Sequence, residues 1–346
     1  MPLITVTSPH STSKADTGRI MRHVIYATLP ALVVMTWAFG LGNLLNVLWC
    51  IFLAVALEAL CLKMRGKPIT FFLKDYSAAV TGLLLGLSIS PFAPWWISVI
   101  GMIFAIPIAK HLYGGLGSNP FNPAMIGYAL LLVSFPVEMT RWAGMTITAT
   151  PEQTWLMFSG QSEVIDQITG ATPLDTFKIA ALKGIENNHF WLDDFGLNNF
   201  QLKSWMTINI AFLIGGIYLL YRKIITWHIP VSVLATLTVL SSLFFYWDNN
   251  HYASPILHLL SGATMMGAFF IATDPVSAAT SLKGRLIYGA GIGALLYIIR
   301  TWGGYPDAIA FAVLFMNLSA PMIDHLVQPR TFGHDIQPVK WRKEQK

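Results

Sequence analysis

The chain has 346 residues, 54% of them hydrophobic and only 11% charged, less than half of the roughly 25% charged residues that a soluble domain carries. That deficit excludes a soluble globular domain and leaves an all-α polytopic membrane protein. The net charge of +5 is accounted for by the segments between apolar runs, described below, and calls for no nucleic acid as a partner.

In chain order, residues 1–19 are polar and hold no apolar stretch of the signal-peptide kind, so they read as an N-terminal arm. Apolar runs follow near 20–39, 44–62, 77–90, 95–109 and 124–136. After a long polar stretch they resume near 205–221, 229–247, 256–273, 286–299 and 306–322. About ten transmembrane helices are expected, arranged as a first membrane unit 20–136, a loop 137–204, a second membrane unit 205–325 and a tail 326–346. Several runs fall short of the roughly 20 residues that a bilayer requires. Their Gly and Pro interruptions are those of broken or re-entrant helices; the third run closes in Ser88-Ile-Ser-Pro91 and the eighth in Thr273-Asp-Pro275. Cys50 and Cys61 lie about three helical turns apart in one run, too far to bond, and two cysteines cannot hold a four-ligand iron–sulfur cluster alone. The histidines show no metal-ligand spacing, so no metal site is expected.

Charge sets the direction of the spans. With both termini cytoplasmic, 17 of the 22 Lys and Arg residues, Lys110 among them, fall on the inner side. The outer side holds only Arg141, Lys178, Lys183, Lys203 and Arg300, four of them in the long loop, where the positive-inside rule is weak. The loop 137–204 is therefore expected outside.

Two regions repeat one another. Ser77 leads after fourteen residues to Pro91, and Ser261 after fourteen to Pro275. Each is followed by a span and a Gly-Gly turn, Tyr113-Gly-Gly and Trp302-Gly-Gly, which opens an apolar helix expected to end at Pro136 and Pro321 respectively. Five spans per half is an odd number, so the two halves must face opposite ways as inverted repeats.

The long loop carries Asp166-Gln-Ile-Thr-Gly-Ala-Thr172. A loop of this length is usually functional or disordered. By itself Thr169-Gly-Ala-Thr172 reads as a turn, stopped by Pro173. With Asp166 included, the pattern resembles the signal for covalent attachment of flavin mononucleotide (FMN). Thr172 would supply the esterified hydroxyl, Gly170 and Ala171 would leave room for a transferase, and Asp166 would hold the segment or a metal during transfer. Ser261-Gly-Ala-Thr264 is a near copy, but it lies in the eighth run, where small residues serve close helix packing.

Further stretches carry a wider resemblance: Leu112-Tyr-Gly-Gly-Leu-Gly-Ser-Asn-Pro-Phe-Asn-Pro-Ala124, Ala171-Thr-Pro-Leu-Asp-Thr-Phe-Lys178, Leu260 to Pro275, and Gly303-Gly-Tyr-Pro-Asp-Ala-Ile-Ala-Phe311. On these the chain resembles the family of the D subunit of the Rnf ion-translocating electron-transport complex, and more distantly the B subunit of the sodium-pumping NADH:quinone reductase. The resemblance implies a bacterial inner-membrane subunit, not catalytic alone, with covalent FMN at Thr172 and a second, non-covalent riboflavin. It also implies the partners: the other Rnf subunits, one of them a periplasmic FMN-carrying subunit, a periplasmic flavin transferase, and membrane lipid. The complex would link ferredoxin and NAD to Na+ or H+ movement. A flavin-free inverted-repeat channel or secondary transporter would show the same repeat and the same acids.

The remaining candidates are polar residues at membrane depth. Asn119 and Asn122 stand before the fifth run; their amides could bond the edge of an isoalloxazine, and Asn122-Pro123 equally suits a helix N-cap. Glu58, Asp75, Asp274, Asp307 and Asp324 are candidates for an ion path, since a carboxylate in a membrane is costly. Asp307 and Asp324 also suit a plain capping role.

Overall fold

The computed structural model describes residues 17–143, 150–161, 169–182, 200–305 and 307–327. The first half contains α1 (Thr17–Phe39), α2 (Gly42–Met64), a short α3 (Ile69–Leu73), α4 (Ser77–Ser88), α5 (Trp95–Ile103, continuing as Phe104–His111) and α6 (Pro123–Ser134). Between the halves lie α7 (Pro136–Thr140), α8 (Pro151–Ser159), α9 (Pro173–Leu182) and two short strands, β1 (Trp142–Ala143) and β2 (Thr169–Gly170). The second half contains α10 (Phe200–Tyr221), α11 (His228–Trp247), α12 (Pro255–Leu260), α13 (Thr264–Met266, continuing as Gly267–Ile271), α14 (Leu282–Trp302) and α15 (Ile309–Leu326). Among the described residues, six helices are long and apolar enough to cross a membrane, and three shorter apolar helices accompany them.

Local chemistry sets the helix starts. Asn122, Ser254 and Ser281 each accept a backbone N–H of the first turn, and Pro123 and Pro255 fill the first helical position, where no N–H is needed. Pro107 sits inside α5, and the helix widens to π turns from Phe104 to His111, accommodating its missing N–H. Two sequence expectations change. The helix expected to end at Pro321 runs through it to Leu326, because a membrane helix re-satisfies freed backbone groups locally. The run 256–273 is two helices, broken at Ser261–Ala263.

Contacts join the halves at their first and last spans. α1, the first span of one half, packs on α10, the first of the other; α6 packs on α15, the last on the last. Within the halves the pairings differ: α2 packs chiefly on α4, whereas α11 packs chiefly on α14, because the broken α12–α13 pair presents less surface. At the α1–α10 crossing a Cβ on Gly215 would collide with the Ala27 carbonyl oxygen, so only glycine allows that approach.

Contacts define two ends of the bundle. At one end Arg65 reaches His111 and the Gly114 carbonyl, His23 bonds Tyr218, and Arg285 bonds Thr226. At the other, Trp142 and Trp205 pack with Phe39, Ser90 bonds the Arg141 carbonyl, and Lys178 bonds the Gly303 carbonyl. Each grouping joins segments that the ten-span order places on the same side.

Candidate functional site

Thr172 is held from both sides. Upstream, Trp142 and Gly170 pair antiparallel, as do Ala143 and Thr169, fixing the chain two residues before it. Downstream, Thr172 caps α9 in a reciprocal box: its Oγ1 accepts from Asp175 N at 3.2 Å, and Asp175 Oδ2 accepts from Thr172 N at 3.2 Å. The Thr172 hydroxyl also donates to Asp175 Oδ2 at 2.6 Å. Thr172 is half-buried beside an exposed Ala171. Asp175 was not among the expected site residues, although Thr-Pro-Leu-Asp has capping-box spacing. Asp166 lies outside the described residues.

Thr172 and Asp175 border a cleft walled by Tyr128, Trp142, Trp205, Gly262 and Asp307. The same five residues line a second cavity that runs inward to Met35, Leu87, Met125 and Ile309. Trp205 is 6% exposed, and its indole N–H has no hydrogen-bond partner among the described residues. Burial raises the Asp175 carboxyl above the ordinary carboxylate range and the neighbouring Asp307 adds to this, while the hydrogen bonds from Thr172 oppose it. Burial lowers Lys178, one turn on.

Asp307 shapes the far wall. Its Oδ2 accepts from Ala263 N at 2.6 Å and its Oδ1 from Arg300 Nη2 at 3.0 Å; Arg300 Nη1 in turn donates to the His258 carbonyl at 2.8 Å. This clamp holds the break between α12 and α13. Gly262 adopts φ +59° there, and a Cβ would stand 2.7 Å from Asp307 Oδ2. Asn209, which the sequence did not single out, ties both sides of the break: it donates to the Leu260 and Gly262 carbonyls and accepts from Met265 N. Thr264 is fully buried, its hydroxyl donating to the His258 and Ser261 carbonyls. That hydroxyl is closed to an external enzyme.

At the opposite end the acids are tied into networks. Glu58 is 3% exposed and Lys110 1%. Lys110 Nζ contacts Glu58 Oε1 at 2.9 Å, Oε2 at 3.0 Å and Ser77 Oγ at 2.8 Å, and His111 Nε2 lies 3.0 Å from Glu58 Oε2. Lys110 is thus a core residue, carried inward by the π turns of α5, and not the loop charge that the sequence count made it. Asp75 Oδ1 accepts from Ser77 N and Ser77 Oγ, which extends the same chain. Asp324 accepts four bonds, from N and Oγ of Thr280 and Ser281, and so fixes the start of α14.

Asn119, Asn122 and Asp274 meet in one cavity, with Lys110 and Ser77 in its wall. Asn122 Oδ1 caps α6 by accepting from Met125 N at 3.3 Å. Asp274 Oδ2 accepts from Ser277 Oγ at 2.8 Å. Asn119 donates to the Phe121 carbonyl, while its buried Oδ1 has no partner among the described residues. This cavity and the inward part of the Thr172 cleft are lined by neighbouring residues: Leu84 and Leu87, Ala124 and Met125, Phe270 and Ile271. Both draw on α1, α4, α6, α10 and α13, and so lie in the seam between the two halves.

Comparison with known proteins covers nearly the whole chain. The NQR2, RnfD, RnfE family profile matches residues 4–333. The D subunit of the ion-translocating oxidoreductase complex of Alcanivorax borkumensis is 55% identical over 96% of this chain and 98% of its own length. The subunits of the same name from Marinobacter nauticus and Aliivibrio salmonicida are 53% and 50% identical, each over 96% of this chain and over 96% and 99% of their own lengths. A profile match over so much of the chain, with relatives this close, identifies the chain as a member of the NQR2, RnfD, RnfE family.

Proposed function

We propose that the chain is the membrane subunit of an ion-translocating oxidoreductase complex, the role its relatives' names carry, and that it bears FMN in phosphoester linkage on Thr172. The observation that carries this reading is the Thr172 hydroxyl at the rim of an aromatic cleft whose wall holds a buried indole N–H, that of Trp205, without a partner among the described residues. A buried unpaired donor is costly, and a flavin ring presents acceptors to such a group. The cavity that joins Asn119, Asn122 and Asp274 fits a riboflavin by the same test: the orphaned Asn119 Oδ1 is an acceptor that could take the imide N–H of such a ring.

When bound, the flavins supply one-electron chemistry; the protein supplies placement and electrostatics. Thr172 tethers one group at the rim. Trp142 and Trp205 offer ring faces, and the Arg300–Asp307 pair sets the local charge. The back-to-back cavities make a short path along the seam between the halves. The wider reading has ferredoxin and NAD as redox partners and Na+ or H+ as the moved ion. The other Rnf subunits, among them a periplasmic FMN-carrying subunit, and a periplasmic flavin transferase complete the set of partners. The protein sits in the bacterial inner membrane, both termini cytoplasmic and Thr172 outside.

The test is in-gel flavin fluorescence after denaturation, in cells with an active flavin transferase. A fluorescent band that Thr172→Ala abolishes supports the reading. No band in the wild type favours a flavin-free channel or transporter, and a band lost in Thr264→Ala but kept in Thr172→Ala moves the site.

A further inference from the structure

Thr172 is more than an exposed hydroxyl at the end of a motif. Among the described residues its oxygen accepts one bond, from Asp175 N, and gives its proton to Asp175 Oδ2, which leaves one lone pair without a partner there. The 2.6 Å separation is that of a strong O–H hydrogen bond to a carboxyl oxygen. Asp175 lies three residues beyond the seven-residue motif, on the first turn of α9, so the helix and not the motif positions it. We propose that Asp175 is the proton acceptor in the attachment of flavin at Thr172.

The proposal rests on Thr172 being the attachment site. The donor is a flavin adenine dinucleotide held by the transferase. Thr172 Oγ1 attacks the phosphorus on the flavin side of the pyrophosphate, and an O–P bond forms there. The pyrophosphate P–O bond breaks and AMP leaves with its electron pair. The hydroxyl proton passes to Asp175 Oδ2, already its hydrogen-bond partner. Nothing is oxidised or reduced. The product explains why a carboxyl suits this place. An ester oxygen has no proton to give, so an ionised Asp175 would stand unshielded beside a phosphodiester anion. Protonated, it donates a hydrogen bond to that anion. Two features favour holding the proton, partial desolvation and Asp307 across the cleft, itself paired with Arg300; Lys178, one turn along α9, opposes them. Ala171 and the half-buried Thr172 leave the face open to the transferase.

The experiment is a time course of labelling on the purified full-length protein, with the transferase and flavin adenine dinucleotide, read by in-gel fluorescence and intact mass. Asp175→Asn keeps an acceptor oxygen for the Thr172 amide and hydroxyl, so the cap survives, but it cannot take the proton. It should label at least about 100-fold more slowly. The wild-type rate should rise with pH as Asp175 ionises, and that rise should vanish in Asp175→Asn. Asp175→Glu, which keeps a carboxylate at the capping-box position, should label within about tenfold of wild type. Asp175→Asn labelling at the wild-type rate overturns the proposal, as does a slow variant with the wild-type pH profile, or Asp175→Glu as slow as Asp175→Asn. Label that persists in Thr172→Ala, or a wild type that takes none, refutes the attachment site itself, and the role of Asp175 falls with it.

Discussion

At the scale of single residues, the Glu58–Lys110 pair is an exacting contact. An ammonium with three oxygens within 3.0 Å, almost wholly out of solvent, is stable only while those oxygens stay. Breaking one side of such a pair costs about 3–5 kcal/mol, whereas replacing both partners by apolar groups is often near neutral. Glu58→Leu is therefore expected to lower stability by about that amount, and Glu58→Leu/Lys110→Met to recover most of it, measured by thermal unfolding in detergent. Full additivity of the two losses would mean that each partner is held by something else. Asp175 gives a second expectation, with its sign set by burial. Its raised carboxyl makes ionisation unfavourable to the folded state, so its contribution is complete below the unfolded value near 3.9 and is lost as pH rises through the raised one. Thermal melts of wild type against Asp175→Asn between pH 4 and 7 should converge at the acid end and separate toward neutrality, with the Asn variant the more stable there. Glu58 could be read from the sequence because it is a lone acid in an apolar run. Lys110 could not: it ends its run, where a cation is ordinary, and only the π turns of α5 carry it into the core. Asp175 was hidden by the motif beside it.

At the scale of the element, the broken pair α12–α13 does what one continuous helix could not. A straight helix through 261–263 would leave no gap for the Thr172 cleft to meet the inward cavity, which both touch Gly262. The break strips helical partners from several backbone groups, and Asn209, Asp307 and Arg300 replace them. Such groups unpaired in the interior cost about 1–3 kcal/mol each. Asn209→Leu, of similar size, is expected to destabilise by about 2 kcal/mol or more and to leave α10 itself intact, read by thermal unfolding and far-ultraviolet circular dichroism. An unchanged melting temperature would mean that water already serves the break. Span positions were legible from hydropathy because every run is apolar enough to appear. The break was not, since Ser261 and Gly262 are small residues that also serve plain helix packing. Proline misled in one half only. Phe135 leaves the helical conformation before Pro136, but the chain stays helical through Pro321.

At the scale of the whole molecule, the question is how two helices of 12 residues, α4 and α6, take part in crossing a bilayer. At 1.5 Å per residue each is about 18 Å long, well short of a 30 Å core. After α4 the crossing is completed by residues 89–94, an irregular segment that is buried throughout, so its backbone is shielded from lipid by protein. Both cavities touch the start of α6, and one of them also touches the end of α4 at Leu87 and Ser88, so shortness and cavity arise together: a half-length helix leaves room at its tip. On the ten-span order three crossings, α4, α5 and α6, separate Lys74 from Ala171, an odd number that would put them on opposite faces. Both residues are exposed. In a background with Cys50 and Cys61 replaced by Ser, a membrane-impermeant maleimide applied to right-side-out spheroplasts should modify Ala171→Cys and spare Lys74→Cys, and inverted vesicles should reverse the pattern. Modification of both from one face would mean that α4 or α6 turns back at mid-depth. Thr172 and the cluster of Lys and Arg around residue 65 would then share a compartment, and the seam between the halves could no longer join one side of the membrane to the other.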